Sequence, residues 1–331
     1  MPDRSPEPHR RALLAGSAAL TAAAFAGARG AWAARSGLTQ GQVDTLVKAL
    51  ADAPSHGFRK TEFTPPDLAD ALKAQALQTP ATQARLKAAI LAYARAQRGQ
   101  RLKPSDFLAE WSVRPAPYDP TPEFNAAIAS DSLKPWLDSL PPRYQGYQAL
   151  RKSLATYRTI SAGHGWGTVP EADTPLTVGM SDPRVTALRA RLAAEDSTVE
   201  AAPAQPDVYD PALQAAVQRF QGRTGLKADG EVGPPTLAVL NLPVGQRILQ
   251  IEANMERWRW LPRQLPDTRI QVNIAAAVLA AYRDGEPVMA MKAVAGKPED
   301  QTPMLHSNIS DIVLNPPWHV PDTIAKKEIW P

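Results

Sequence analysis

Proline sets the first limit on how this chain folds. It supplies 33 of the 331 residues, and a residue with a locked φ and no backbone N–H ends helices and interrupts ladders. The pairs Pro65-Pro66, Pro141-Pro142, Pro234-Pro235 and Pro316-Pro317 fall as punctuation along the chain, which predicts many short elements joined by stiff turns. With 44% hydrophobic residues, a chain this long is expected to build more than one core.

The N-terminus reads as a targeting segment. His9-Arg10-Arg11 precedes an uncharged apolar run from Ala12 to Ala28, and Ala31-Trp32-Ala33 offers the small-x-small pattern of a cleavage site. Ala31 and Ala33 are the expected cleavage residues of a signal peptide spanning 1–33. The arginine pair against the apolar run resembles a twin-arginine signal, with an ordinary secretory signal as the other reading. Removing this segment takes away Arg4, Arg10, Arg11 and Arg29 against Asp3 and Glu7, so the formal charge falls from +4 to +2. Such a balance, with no basic run longer than a pair, gives no case for nucleic acid. No later segment approaches a membrane span. Export to an oxidising compartment would permit disulfides, yet the count of cysteine is 0.

From Leu38 to about Ile160 apolar residues recur at helical spacing: Leu38, Val43, Leu46, Val47 and Leu50, then Leu86, Ile90 and Leu91, then Tyr147, Leu150, Leu154 and Tyr157. The glycine-flanked His164 breaks the pattern, and Thr168 to Thr177 reads as a linker. From Val178 three short helices are expected. Asp182-Pro183 and Asp210-Pro211 provide caps with proline in the first turn, Asp229-Gly230 makes a tight turn, and Gly233-Pro234-Pro235-Thr236 opens the third helix. Glu200 to Asp207, rich in alanine and proline, reads as an exposed insertion.

Val217-Gln218-Arg219-Phe220-Gln221, Gly225-Leu226, Asp229-Gly230, Val232-Gly233-Pro234, Thr236 and Leu240-Asn241 together resemble the peptidoglycan-binding domain of cell-wall enzymes. Most of these residues are expected to serve the fold: Phe220 in the core, Gly230 and Gly233 at turns, Asp210 as a cap. Beyond Leu242 a helix carries Ile248, Ile251, Met255 and Trp258 on one face. Strands are then expected at Arg269 to Ile274, at Val278 to Tyr282 and Val288 to Val294 flanking the hairpin signal Asp284-Gly285, and at Ile309 to Leu314. One helix and four strands cannot cover both faces of such a sheet.

Asn254-Met255-Glu256-Arg257-Trp258-Arg259-Trp260-Leu261-Pro262, Val272-Asn273-Ile274, Val294-Ala295-Gly296-Lys297-Pro298, Gln301-Thr302-Pro303 and Asn315-Pro316-Pro317-Trp318-His319-Val320-Pro321 resemble the entry of an L,D-transpeptidase catalytic domain. The type is the large periplasmic one, in which a helical scaffold surrounds a peptidoglycan-binding module. The resemblance implies a cysteine acyltransferase that attacks the third-position carbonyl of a donor stem peptide, expels D-alanine and forms a 3–3 cross-link. Such chemistry needs an activated thiolate, a histidine partner and oxyanion donors. In the family these lie in a Ser-His/Lys-Gly-Cys stretch downstream of the Trp-x-Val-Pro segment, so the catalytic Cys and His are expected beyond Pro331. The chain is expected to be a truncated piece of the enzyme, inactive alone.

The expected fold class is therefore α+β and multidomain. It comprises a helical scaffold and linker over 37–177, a three-helix peptidoglycan-binding domain over 178–245, and the N-terminal part of a mostly-β catalytic domain over 246–331. Trp318 and His319 are the candidates for the entry of the cleft, and no peptidoglycan-contacting residue is assigned. His306-Ser307 and His319 are the other groups with catalytic chemistry. Adjacency in sequence does not make a triad, no orienting acid is identifiable, and the two histidines lack metal-site spacing. No cofactor is implied. The expected partner is peptidoglycan, through stem peptides or glycan, with other wall-synthesis proteins as further candidates; the location is the periplasm. A non-catalytic wall-binding protein is the alternative.

Overall fold

The computed structural model describes residues 37–73, 79–297, 299–317 and 319–330. The expected signal peptide, with Ala31 and Ala33, lies outside them, as does Trp318. The chain divides into two compact units, one formed by the residues up to Arg95 with Asp119–Leu140, the other by Ala96–Tyr118 with 141–331.

The first unit is helical. Helix α1 (Gln40–Asp52) opens with a capping box, in which Thr39 accepts from the Gln42 amide and Gln42 accepts from the Thr39 amide. Its Val43, Leu46 and Leu50 face inward. Helices α2 (Pro66–Lys73) and α3 (Pro80–Gln97) add Leu68, Leu86 and Ile90 to the same core. Helices α4 (Thr121–Ala129) and α5 (Leu133–Ser139) supply Phe124 and Trp136. Phe58, Phe63 and Tyr93 meet edge to face with centroids 5.0 to 5.9 Å apart, the arrangement aromatic quadrupoles favour.

In the second unit α6 (Gln145–Ala162) packs along α10 (Val244–Trp260), with Tyr147, Leu154, Ile251 and Met255 buried between them. Close approach requires Gly146. A Cβ there would lie 2.4 Å from the Trp258 ring. Between these two helices in sequence come α7 (Pro183–Ala193), α8 (Pro211–Arg223) and α9 (Pro234–Leu240), which enclose a separate core of Val185, Leu188, Leu192, Tyr209, Leu213, Val217, Phe220, Leu237 and Leu240. Residues 200–207 are irregular and mostly exposed.

The segment expected as a linker at 168–177 is irregular but is packed into this core. Val169 and Leu176 are buried in it. Leu176 exchanges backbone bonds of 3.2 and 2.9 Å with Val232, and the Asn241 side chain holds the N–H and C=O of Val169 at 2.8 and 2.9 Å. Polar neighbours concealed these two apolar anchors. Gly233 also differs from expectation: its φ of −94° is available to any residue, and it serves as the N-cap of α9.

The C-terminal strands form an antiparallel sheet of order β1-β2-β3: β1 (Arg269–Asn273), β2 (Val278–Arg283) and β3 (Glu286–Lys292). Asp284 and Gly285, at φ 52° and 83°, make the hairpin turn. β3 is exposed along its whole length. The fourth strand expected at 309–314 does not form. Ile309, Ile312, Val313 and Leu314 are exposed, and no strand among the described residues pairs with them; an apolar β-branched pattern yields a strand only where a neighbour completes the ladder.

Candidate functional site

The three-helix core carries a compact polar network. Asp182 caps α7 through the Arg184 amide, 2.8 Å. Asp210 caps α8 through the Leu213 amide, 2.8 Å, while its second oxygen accepts from Arg189 at 2.6 Å. Backbone donors and the guanidinium together hold the Asp210 carboxyl below its ordinary range against the opposing effect of burial, which is the largest single influence. Gln221, buried on α8, anchors the turn before α9. Its oxygen accepts the Gly230 amide at 2.8 Å, and its nitrogen donates to Asp229, the Glu231 carbonyl and Thr236. Gly230 sits at φ +79°, a conformation glycine adopts without strain. The Tyr209 hydroxyl donates to the Gly230 carbonyl, 2.7 Å, and burial raises the Tyr209 pKa. These residues from the peptidoglycan-binding resemblance thus build the turn, and Phe220 fills the core.

A second network joins this core to α6. The Arg191 side chain is 0% exposed. Its Nε donates to the Leu240 carbonyl at 2.7 Å, satisfying an end of α9, and an Nη donates to Glu195 at 3.0 Å. The guanidinium lies 3.8 Å from the centroid of Trp166. Trp166 in turn donates to the Leu242 carbonyl at 3.1 Å and meets Tyr157 edge-on. Glu195 also pairs with Arg223. Burial lowers the Arg191 pKa, opposed by the Glu195 charge. Sequence reasoning missed this cluster because it read only the apolar stripe of α7. The available signal was Arg191 beside Leu192, four residues before an acid.

A third network surrounds the Glu256-Arg257-Trp258-Arg259-Trp260 run. Glu256 accepts from Arg259 at 2.8 Å and from the Trp260 indole at 3.2 Å, and Arg259 donates to the Tyr147 hydroxyl at 3.1 Å. Trp258 stacks against Tyr144, whose hydroxyl donates to the Pro262 carbonyl. The run that carries part of the L,D-transpeptidase resemblance is thus a buried hub on α10.

The groups with catalytic chemistry are not assembled here. His306, Ser307 and His319 are exposed. His164, also exposed, occupies φ 74°. Among the described residues no three of His, Asp or Glu gather in a group that could hold a metal.

Three family models match the chain. Residues 24–154 match the Scaffold domain family, 181–240 the peptidoglycan binding domain family, whose description assigns that role provisionally, and 267–331 the L,D-transpeptidase catalytic domain family. The chain thus matches, in order, a scaffold, a peptidoglycan-binding and an L,D-transpeptidase catalytic family model. A protein of Haemophilus influenzae (strain Rd) that bears the provisional name L,D-transpeptidase is 34% identical over 71 residues, which is 21% of this chain. The match spans 14% of that relative's length. The match at 181–240 is to a family described as binding peptidoglycan. Among the described residues no helix is long and apolar enough to cross a membrane.

Proposed function

We propose that the protein is exported to the periplasm by residues 1–33, cleaved after Ala33, and serves peptidoglycan L,D-transpeptidation that forms 3–3 cross-links between stem peptides. The observation that carries the reading is the three-helix core at 181–240, matched as a peptidoglycan-binding domain and joined to α6 through Arg191, Trp166 and Tyr157. A module fixed in this way holds wall material at a set distance from the L,D-transpeptidase segment, so binding energy is converted into positioning. We assign 37–177 as the helical scaffold with its connection, 178–245 as the binding domain and 246–331 as the catalytic-domain segment. Trp318 and His319 are the proposed cleft-entry residues, and other wall-synthesis proteins are proposed partners.

The reaction requires a cysteine thiolate, and these 331 residues contain 0 cysteines. Their own contribution is therefore binding and positioning. That same count favours one second reading, a non-catalytic protein that adheres to peptidoglycan. The chain from residue 34 is expected to co-sediment with purified sacculi at physiological salt. A chain that stays in the supernatant would overturn wall binding under either reading.

A further inference from the structure

The scaffold match includes residues that sit in the second unit, and these make contacts that none of the networks above accounts for. Residues 98–112 run across the C-terminal end of α10. Gly99, at φ +82°, lies so close to the helix that a Cβ would fall 2.7 Å from the Arg259 carbonyl. Arg101 pairs with Glu256 at 3.9 Å. Phe107 and Trp111 both pack on Trp260, with centroids 4.9 and 5.4 Å away, and the Arg257 guanidinium lies 5.5 Å from the Trp111 ring centroid. One face of the segment is thus fastened to the Glu256–Trp260 hub. The other face forms a parallel bridge with Met304: the Met304 amide donates to the Glu110 carbonyl and the Ser112 amide to the Met304 carbonyl, both at 2.8 Å.

We infer that Trp111 is a positioning residue, the pin of a strap over 98–112 that fixes the Gln301–Met304 stretch of the L,D-transpeptidase segment relative to α10. The inference deepens the proposed function, since it gives the scaffold match a task at the catalytic-domain segment. Its geometry explains the density of arginine and tryptophan in the Glu256–Trp260 run. Trp260 and Arg257 clasp the Trp111 indole, and Glu256 holds Trp260 through its N–H and Arg101 through its charge. The indole in turn sets the register of the two backbone bonds to Met304. Within the stretch Thr302 accepts from the Gly296 amide at 2.7 Å, and the bridge at Met304 ties it to 110–112.

The test is backbone hydrogen exchange on the full chain, compared with Trp111→Ala and Trp111→Phe. Trp111→Ala is expected to speed exchange of the Met304 and Ser112 amides by at least about tenfold, a change of about 1.4 kcal/mol in opening free energy. Amides of 183–240 are expected to keep their rates, which shows that the body is intact. Trp111→Phe, which preserves an aromatic face toward Trp260, is expected to restore most of the protection. Unchanged Met304 exchange in Trp111→Ala, or no recovery in Trp111→Phe, overturns the inference. If Trp111→Ala does not fold, Ser112→Pro decides in its place. It removes the donor to the Met304 carbonyl and fixes φ at 112, and Met304 exchange that matches the unsubstituted chain would again overturn the strap. Sacculus co-sedimentation, read separately, reports failure of the proposed function without bearing on the strap.

Discussion

Replacing Arg191 with alanine is expected to loosen the peptidoglycan-binding module more than any other single surface-to-core change. The side chain reaches from α7 to three partners: the Leu240 carbonyl at 2.7 Å, Glu195 at 3.0 Å and the face of Trp166. Its removal leaves a buried carbonyl unmade, at a cost of about 1–3 kcal/mol. It also forfeits a desolvated cation–π contact of about 2 kcal/mol and deprives Glu195, 5% exposed, of one of its two cations. Glu195 retains Arg223, so the loss falls in the range of about 3–5 kcal/mol known for breaking buried pairs. Because the chain has more than one unit, a single unfolding midpoint is a poor measure. Native-state hydrogen exchange of the 183–240 amides reads the module directly, and the expected loss corresponds to about 2 to 3.5 decades of faster exchange. Arg191→Lys, which keeps the charge but cannot bridge Leu240 and Glu195 with a planar fork, is expected to fall between. A rate change under about tenfold in Arg191→Ala would refute the account of Arg191 as the junction.

Further consequences follow from other contacts. Gly146→Ala would drive a methyl into the Trp258 ring, from which the added Cβ is only 2.4 Å; separation of α6 from α10 should cost about 1–3 kcal/mol, seen as faster hydrogen exchange of the α6 and α10 amides. Asp210→Ala removes a cap and the carboxylate partner of Arg189, whose side chain is 3% exposed and keeps only its carbonyl acceptors, with an expected loss of about 2–4 kcal/mol in protection of the α8 amides. The Thr198 hydroxyl, followed by Arg219, holds the Asp196 carboxyl at about 2. A depressed carboxylate stabilises the fold fully above its unfolded pKa near 4 and loses that contribution as pH falls toward 2. Asp196→Asn is accordingly expected to be less stable at pH 7 but to show a shallower decline between pH 5 and 2 in acid titrations followed by circular dichroism.

Much of this architecture was legible because local chemistry and packing agree. The aspartate-proline pairs at 182–183 and 210–211 cap the helices they announce, and Asp284-Gly285 turns the hairpin. The apolar stripes of α1, α6 and α10 face their cores. What was hidden depends on partners remote in sequence. Val169 and Leu176 look like linker residues until Asn241 and Val232 are placed beside them. Arg191 looks like a solvated charge until Trp166 and Leu240 close over it. Residues 309–314 have strand composition, but composition supplies no ladder partner. The catalytic expectation rests on resemblance, because cysteine, the nucleophile that the resemblance implies, does not occur among these 331 positions.

The most direct measurement is the muropeptide profile of the organism that encodes this chain, with and without its gene, resolved by mass spectrometry. L,D-transpeptidation predicts that deletion lowers the fraction of 3–3 cross-linked species and that restoring the gene recovers it. An unchanged 3–3 fraction, in an organism that makes such links, would contradict the central claim and leave the non-catalytic wall-binding reading in its place.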